Sequence, residues 1–137
     1  MQKIQDKLNL LVERIKQKWK IHGVILTGSY AKQSQTPFSD IDVVIIGDFE
    51  EDFLDRGLLV MELTPEIPQL EPLCYSREEF RRMFQEGRVT VLDCLSDGTI
   101  LYGEKFLRDY QKAFKQALKD GLTRTSVSWV LPHSMRP

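Results

Sequence analysis

Asp40-Ile41-Asp42 opens a run dominated by β-branched residues, Asp40 to Ile46, that reads Asp-Ile-Asp-Val-Val-Ile-Ile. Alternate side chains of a strand share a face, so Asp40 and Asp42 point the same way with Cα atoms about 6.6 Å apart. Ile41, Val43 and Ile45 then point the opposite way, into a core. Two carboxylates on one face of an apolar strand repel each other, and a hard divalent cation with oxygen ligands neutralises them best. Mg²⁺ takes only one or two carboxylates and fills its shell with water and substrate phosphates, so the pair suggests a metal–nucleotide site more than a structural cage. Two ions about 4 Å apart would activate an attacking oxygen and stabilise a leaving pyrophosphate. A solvated edge strand or an N-terminal cap is the plainer reading of the same pair.

Gly28-Ser29, ten residues before Asp40, supplies the complement. It follows a short apolar run, Val24-Ile25-Leu26-Thr27, that suits a buried strand. Glycine lets the backbone come close to a ligand, and free N–H groups with the Ser29 hydroxyl suit a phosphate. Gly-Ser after a strand is a weak signal alone and a much stronger one at this distance from an Asp-x-Asp strand. Ser39 either caps the start of that strand or touches the nucleotide. Lys32 is a surface lysine or a phosphate contact, and Tyr30 reads as packing.

Positioning these groups falls to the surrounding elements. Ile4, Leu8, Leu11, Val12, Ile15 and Trp19 recur at helical spacing, which predicts an amphipathic helix over 3–19. Gly23 breaks that pattern, and the polar stretch Lys32 to Pro37 reads as a loop after at most one helical turn. Gly47 ends the Asp40–Ile46 strand. Asp48 with Glu51 resembles a capping box and predicts a helix over 49–62, weakened by Gly57 and stopped by Thr64-Pro65. Residues 67–75 read as a strand whose Pro68 and Pro72 place it at a sheet edge. Ser76-Arg77-Glu78-Glu79 is a capping box that opens a helix with Phe80, Met83 and Phe84 on one side. Val89 to Leu95 reads as helix, with strand as the alternative, and Thr99–Tyr102 as a short strand after the Asp97-Gly98 turn. Residues 104–120 form a helix ended by Gly121, Thr123 to Leu131 alternates as a final strand, and residues 133–137 make a loose tail. The sum is one α+β domain: a mixed twisted sheet, helices on one face, and the Asp pair on the open side.

Gly28-Ser29-x10-Asp40-x-Asp42 resembles the signature of the DNA polymerase β-type nucleotidyltransferase superfamily. Gly28-Ser29-Tyr30-Ala31 through Ser39-Asp40-Ile41-Asp42-Val43 is most similar to the minimal nucleotidyltransferases, or MNT proteins, of bacteria and archaea. The motif spans 24–46, the general layout 24–103, with a C-terminal helix and strand over 104–131, so the whole chain, 1–137, reads as one nucleotidyltransferase domain. The resemblance implies transfer of an NMP, AMP from ATP, to an acceptor hydroxyl with two Mg²⁺ ions and three carboxylates. Asp40 and Asp42 match the metal ligands, and Gly28, Ser29 and Ser39 the nucleotide-binding positions. Glu71 is the best match to a third carboxylate that binds the catalytic metal and assists deprotonation, with Glu62 and Glu66 as rivals. The family usually has Gly where Gln33 stands and often Asp where Glu71 stands. In the minimal family the partner is commonly a HEPN-domain protein, in a toxin–antitoxin pair whose antitoxin transfers AMP to a toxin tyrosine.

With 137 residues the chain has room for one domain and little for a separate acceptor-binding one. Its 42% apolar and 28% charged residues are globular composition. A net charge of −1 disfavours nucleic acid as acceptor, although 1–20 carries six Lys/Arg against Asp6 and Glu13, and 104–124 six against three acids. No apolar run approaches the roughly 18 residues of a membrane span, and the N-terminus is polar without a signal peptide. Cys74 and Cys94 fit no zinc spacing with His22 and His133, and read as reduced thiols of a cytoplasmic protein. His22 and His133 have no partner at useful spacing, and Trp19 and Trp129 read as core anchors. Two other functions stay open: a docking antitoxin that keeps the fold without chemistry, and nucleotidyl transfer to a small molecule such as an antibiotic.

Overall fold

The computed structural model describes residues 3–133. The chain runs α1 (Ile4–Lys18), β1 (Lys20–Thr27), α2 (Gly28–Ala31), β2 (Ile41–Asp48), α3 (Phe53–Leu63) and β3 (Leu70–Tyr75). It continues as α4 (Arg77–Gln85), α5 (Val89–Asp97), β4 (Thr99–Tyr102), α6 (Glu104–Lys119), β5 (Thr123–Arg124) and β6 (Trp129–Val130). Met1, Gln2 and residues 134–137, most of the expected loose tail, lie outside the described residues. The four longer strands form one mixed sheet in the order β3-β2-β1-β4. β1 pairs antiparallel with both β2 and β4, and β2 pairs parallel with β3. That parallel pair is what α3 makes possible, because parallel neighbours need a crossover connection.

Helices cover both faces of this sheet, not the one face expected. Leu8, Leu11 and Ile15 of α1 and Val60 of α3 pack with Val24, Leu26, Ile41, Val43 and Ile45. On the other face Phe80 of α4, Val91 and Cys94 of α5 and Leu107 of α6 pack with Ile25, Val44 and Ile46. Val43 to Ile46 are all fully buried, and such an unbroken apolar run is what a strand covered on two sides requires. The pleat does place Ile41, Val43 and Ile45 in the α1/α3 core as expected.

Several boundaries move for local reasons. β1 begins before Gly23, which it passes with a bulge between Ile21 and Gly23. β2 runs through Gly47 to Asp48, so the expected Asp48–Glu51 capping box does not form, and α3 starts later, after Asp52. Asp48 is instead drawn to His22 Nε2 (2.9 Å) and Arg77 Nε (3.4 Å), which gives His22 a partner that sequence spacing did not offer. Residues 67–69 turn before β3, with the Leu70 N–H donating to the Ile67 carbonyl at 3.1 Å. The final strand is two short ones, β5 and β6, paired as a hairpin. The Ser76 box is present: its Oγ accepts from the Glu79 N–H and Glu79 Oε1 accepts from the Ser76 N–H.

β3 is an edge strand, as its prolines suggested, and its outer edge is occupied. Arg56 of α3 is buried, donating from Nη1 to the Cys74 carbonyl (3.2 Å) and to Glu79 Oε1 (2.7 Å), and from Nε to the Glu51 carbonyl (2.7 Å). The Pro72 carbonyl lies against Gly57. Cys74 and Cys94 are both buried free thiols, and burial pushes each thiol pKa up to about 12.

Candidate active site

The site forms where β1 ends, β2 begins and β3 begins, at one end of the sheet. Asp42 is the second residue of β2, and its strand partners are Thr27 on one side and Glu71 on the other. Asp40 lies just before the strand; the adjoining Ile41 N–H donates to the Gln69 carbonyl at 2.9 Å, which ties this start to β3. Asp40 and Glu71 are exposed and Asp42 half-buried. The charge of Asp40 first, then burial and a hydrogen-bond contact with Asp42, hold the Glu71 carboxyl above its ordinary range. All three carboxylates singled out in the sequence therefore converge. Among the described residues no group of three or more His, Cys, Asp or Glu side chains is placed to hold a metal ion. A hard ion beside Asp40, Asp42 and Glu71 would need water and phosphate oxygens to complete its shell.

Gly28 opens α2 directly against this set. Its φ is +72°, and a Cβ there would strike Asp42 Oδ2. Only glycine fits, because the position demands both left-handed backbone and the absence of a side chain. Ser29 follows at the first turn of α2, where the leading N–H groups of a helix have no intrahelical acceptor. Ser39 closes the loop that leads to Asp40: its Oγ accepts from the Thr36 N–H at 2.8 Å, and its own N–H donates to the Thr36 carbonyl at 3.1 Å. At the head of this turn Phe38 is 94% exposed, an apolar side chain that the polar composition of the loop conceals. Lys32 Nζ lies 3.6 Å from Asp97 Oδ2, an open pair of little energetic weight. Tyr30 packs on the α1/α3 core, as expected.

The rivals to Glu71 stand elsewhere. Glu66 is bound to Arg14 at 2.6 Å, and Glu62 is exposed on α3. Asp97 is the site neighbour that the sequence could not reveal, since an Asp-Gly turn explains it locally.

Comparison with known proteins follows the same lines. No curated protein matches the sequence. A toxin–antitoxin structure with AMP-PNP is 22% identical over 86% of this chain and 97% of the other, with a TM-score of 0.50. A tri-AMPylated Shewanella oneidensis HEPN toxin in complex with MNT antitoxin is matched at 18% identity over 85% of this chain and 97% of that one, with a TM-score of 0.46. At 22% identity the first likeness is one of fold. Among the described residues no helix is long and apolar enough to cross a membrane. The nucleotidyltransferase domain family matches residues 8–96, the stretch that contains Gly28, Ser29, Asp40, Asp42 and Glu71, and the chain belongs to that family.

Proposed function

We propose that this chain is a Mg²⁺-dependent nucleotidyltransferase that moves AMP from ATP onto a hydroxyl of a partner protein, as the cytoplasmic antitoxin of a pair whose toxin is of the HEPN type. The observation that carries the chemistry is the convergence of Asp40, Asp42 and Glu71 beside the Gly28-Ser29 turn. Three carboxylates crowded enough to raise the pKa of one of them fit a hard divalent cation. The partner half is supported by the resemblance of the motif to the minimal family and by the fold shared with a toxin–antitoxin structure holding AMP-PNP.

Asp40, Asp42 and Glu71 would hold the metal, which when bound supplies the positive charge that offsets the triphosphate and the leaving pyrophosphate. Gly28 keeps the floor open for the triphosphate, and Ser29 offers its hydroxyl and N–H to a phosphate oxygen. Ser39 fixes the turn ahead of Asp40, with a nucleotide contact of its own secondary to those of Gly28 and Ser29. Lys32, loosely held by Asp97, is free to turn to a phosphate. The acceptor oxygen bonds to the α-phosphorus, the bond from that phosphorus to the bridging oxygen breaks, and pyrophosphate leaves. Glu71, beside Asp42 in the parallel register, would receive the hydroxyl proton.

Calorimetric titration with MgATP tests this, with Asp40→Asn/Asp42→Asn as the comparison. Wild type is expected to bind only with the metal present, and the variant to lose that binding while keeping its fold. Equal binding by the two proteins, or none by a folded wild type, overturns the reading.

A further inference from the structure

The outer face of α3 carries an apolar stripe that the described chain leaves open. Leu54 is 76% exposed, Leu58 58% and Met61 44%, and their spacing puts them on one side of the helix. The inner side is fully used, with Val60 buried in the core and Arg56 tied to β3 and α4. The stripe therefore adds nothing to this chain's own core, and a contiguous exposed apolar surface marks an interaction site.

Charge says what covers it. Asp52, Asp55 and Glu62 border the stripe and are all exposed, while the one cation of α3, Arg56, faces inward. Beyond Glu62, toward α1, Arg14 is committed to Glu66 and the Leu63 carbonyl, and Lys18 Nζ lies 5.3 Å over the Trp19 ring. Two copies meeting through this face would set acid against acid. The matching surface is an amphipathic helix with apolar residues at three- and four-residue spacing and Lys or Arg beside them.

We propose that the outer face of α3 is the docking surface for a partner protein that presents such a basic-flanked amphipathic helix. α3 connects the end of β2 to the start of β3, so its C-terminal end returns to the end of the sheet where Glu71 stands. A partner lying along the stripe is thereby brought toward the carboxylates. The proposal rests on the reading above in one respect, that the chain works on another protein.

The test uses labelled synthetic peptides that form amphipathic helices with leucine on one face, one flanked by lysines and one by glutamates, with binding read by fluorescence anisotropy. The lysine-flanked peptide is expected to bind wild type, and the glutamate-flanked one on the order of tenfold more weakly or worse. Leu54→Glu/Leu58→Glu is expected to lose a comparable factor with an unchanged melting curve, because both side chains face solvent. Asp55→Lys/Glu62→Lys is expected to reverse the peptide preference. Indifference to flank charge, binding that survives the leucine changes, or no binding overturns the proposal. So does self-association of wild type that Leu54→Glu/Leu58→Glu abolishes, which gives the stripe to a second copy. MgATP titration of the same samples separates the two readings: peptide binding without MgATP binding removes the chemistry alone, and the reverse removes the docking surface alone.

Discussion

Gly28 and Asp42 compete for one volume, and the chain resolves it by giving Gly28 no side chain. A Cβ at Gly28 would meet Asp42 Oδ2 on a backbone already at φ +72°. Gly28→Ala is therefore expected to cost about 1–2 kcal/mol through the left-handed backbone, before any cost of moving the carboxylate. Since the carboxylate must shift, MgATP affinity is expected to fall by on the order of tenfold or more. A denaturation curve and a calorimetric titration of the one variant read both effects. Gln33 shows the same constraint without the glycine: it sits at φ 58°, the one non-glycine left-handed residue among those described. A glycine would adopt that backbone without strain. The residue types of the site were legible in the sequence, because an Asp-x-Asp strand start and a Gly-Ser turn each carry a local geometric meaning. A third carboxylate was expected only through the resemblance; the strand over 67–75 then set Glu71 apart from Glu62 on a helix and Glu66 at a break, and the parallel register sets it beside Asp42.

Glu79 is a joint between elements. It caps α4 by accepting from the Ser76 N–H at 2.7 Å and accepts from Arg56 Nη1 of α3 at 2.7 Å, joining helices on opposite faces of the sheet around its edge. Burial pushes its carboxyl up, but the hydrogen bonds from the Ser76 backbone and Arg56, with the Arg56 charge, outweigh that and leave it below its ordinary value. A carboxylate with a lowered folded pKa contributes stability that is present above its unfolded value, about 4.3, and is lost as pH falls through the lower folded one. Glu79→Gln is thus expected to be less stable than wild type at neutral pH, with the gap closing in acid below that window. Denaturant titrations at pH 7 and in strong acid check it, and a gap independent of pH would refute it. This box was readable as Ser76-Arg77-Glu78-Glu79 because both partners are local. The Asp48–Glu51 pair has the same form and failed, because β2 claimed Asp48 as strand and His22 and Arg77 claimed its carboxylate. Those competitors lie far off in sequence, so no window around Asp48 could show them.

At the scale of the whole molecule, β2 is the centre: it lies between β1 and β3, with apolar residues of both cores along it. The two cores differ in what they hold in place. The α1/α3 core carries the crossover that brings β3 alongside β2, and hence Glu71 to Asp42. The α4–α6 core closes the other face, with fully buried Phe80 edge-on to Tyr110 at 4.9 Å between ring centroids. Phe80→Ala is expected to cost about 3–5 kcal/mol. Thermal and chemical denaturation give the size, and a loss under about 1 kcal/mol would show that this face is not a true core. The sheet's mixed character was legible from strand and helix alternation. The second covered face is written in the uninterrupted Val43-Val44-Ile45-Ile46, but Asp40 and Asp42 at the start of the same strand mimic the polar alternation of a face open to solvent.

The outer edge of β3 bears on how this chain behaves at high concentration. An edge strand is a template on which other chains can add strands and begin to aggregate. Here Pro72 has no N–H to offer, the Pro72 carbonyl is covered by Gly57, and the Cys74 carbonyl is taken by Arg56. The strand that brings Glu71 to the site is thus blunted as a seed for intermolecular sheets, which lets a carboxylate-bearing strand stand at the margin of the sheet without recruiting copies of itself.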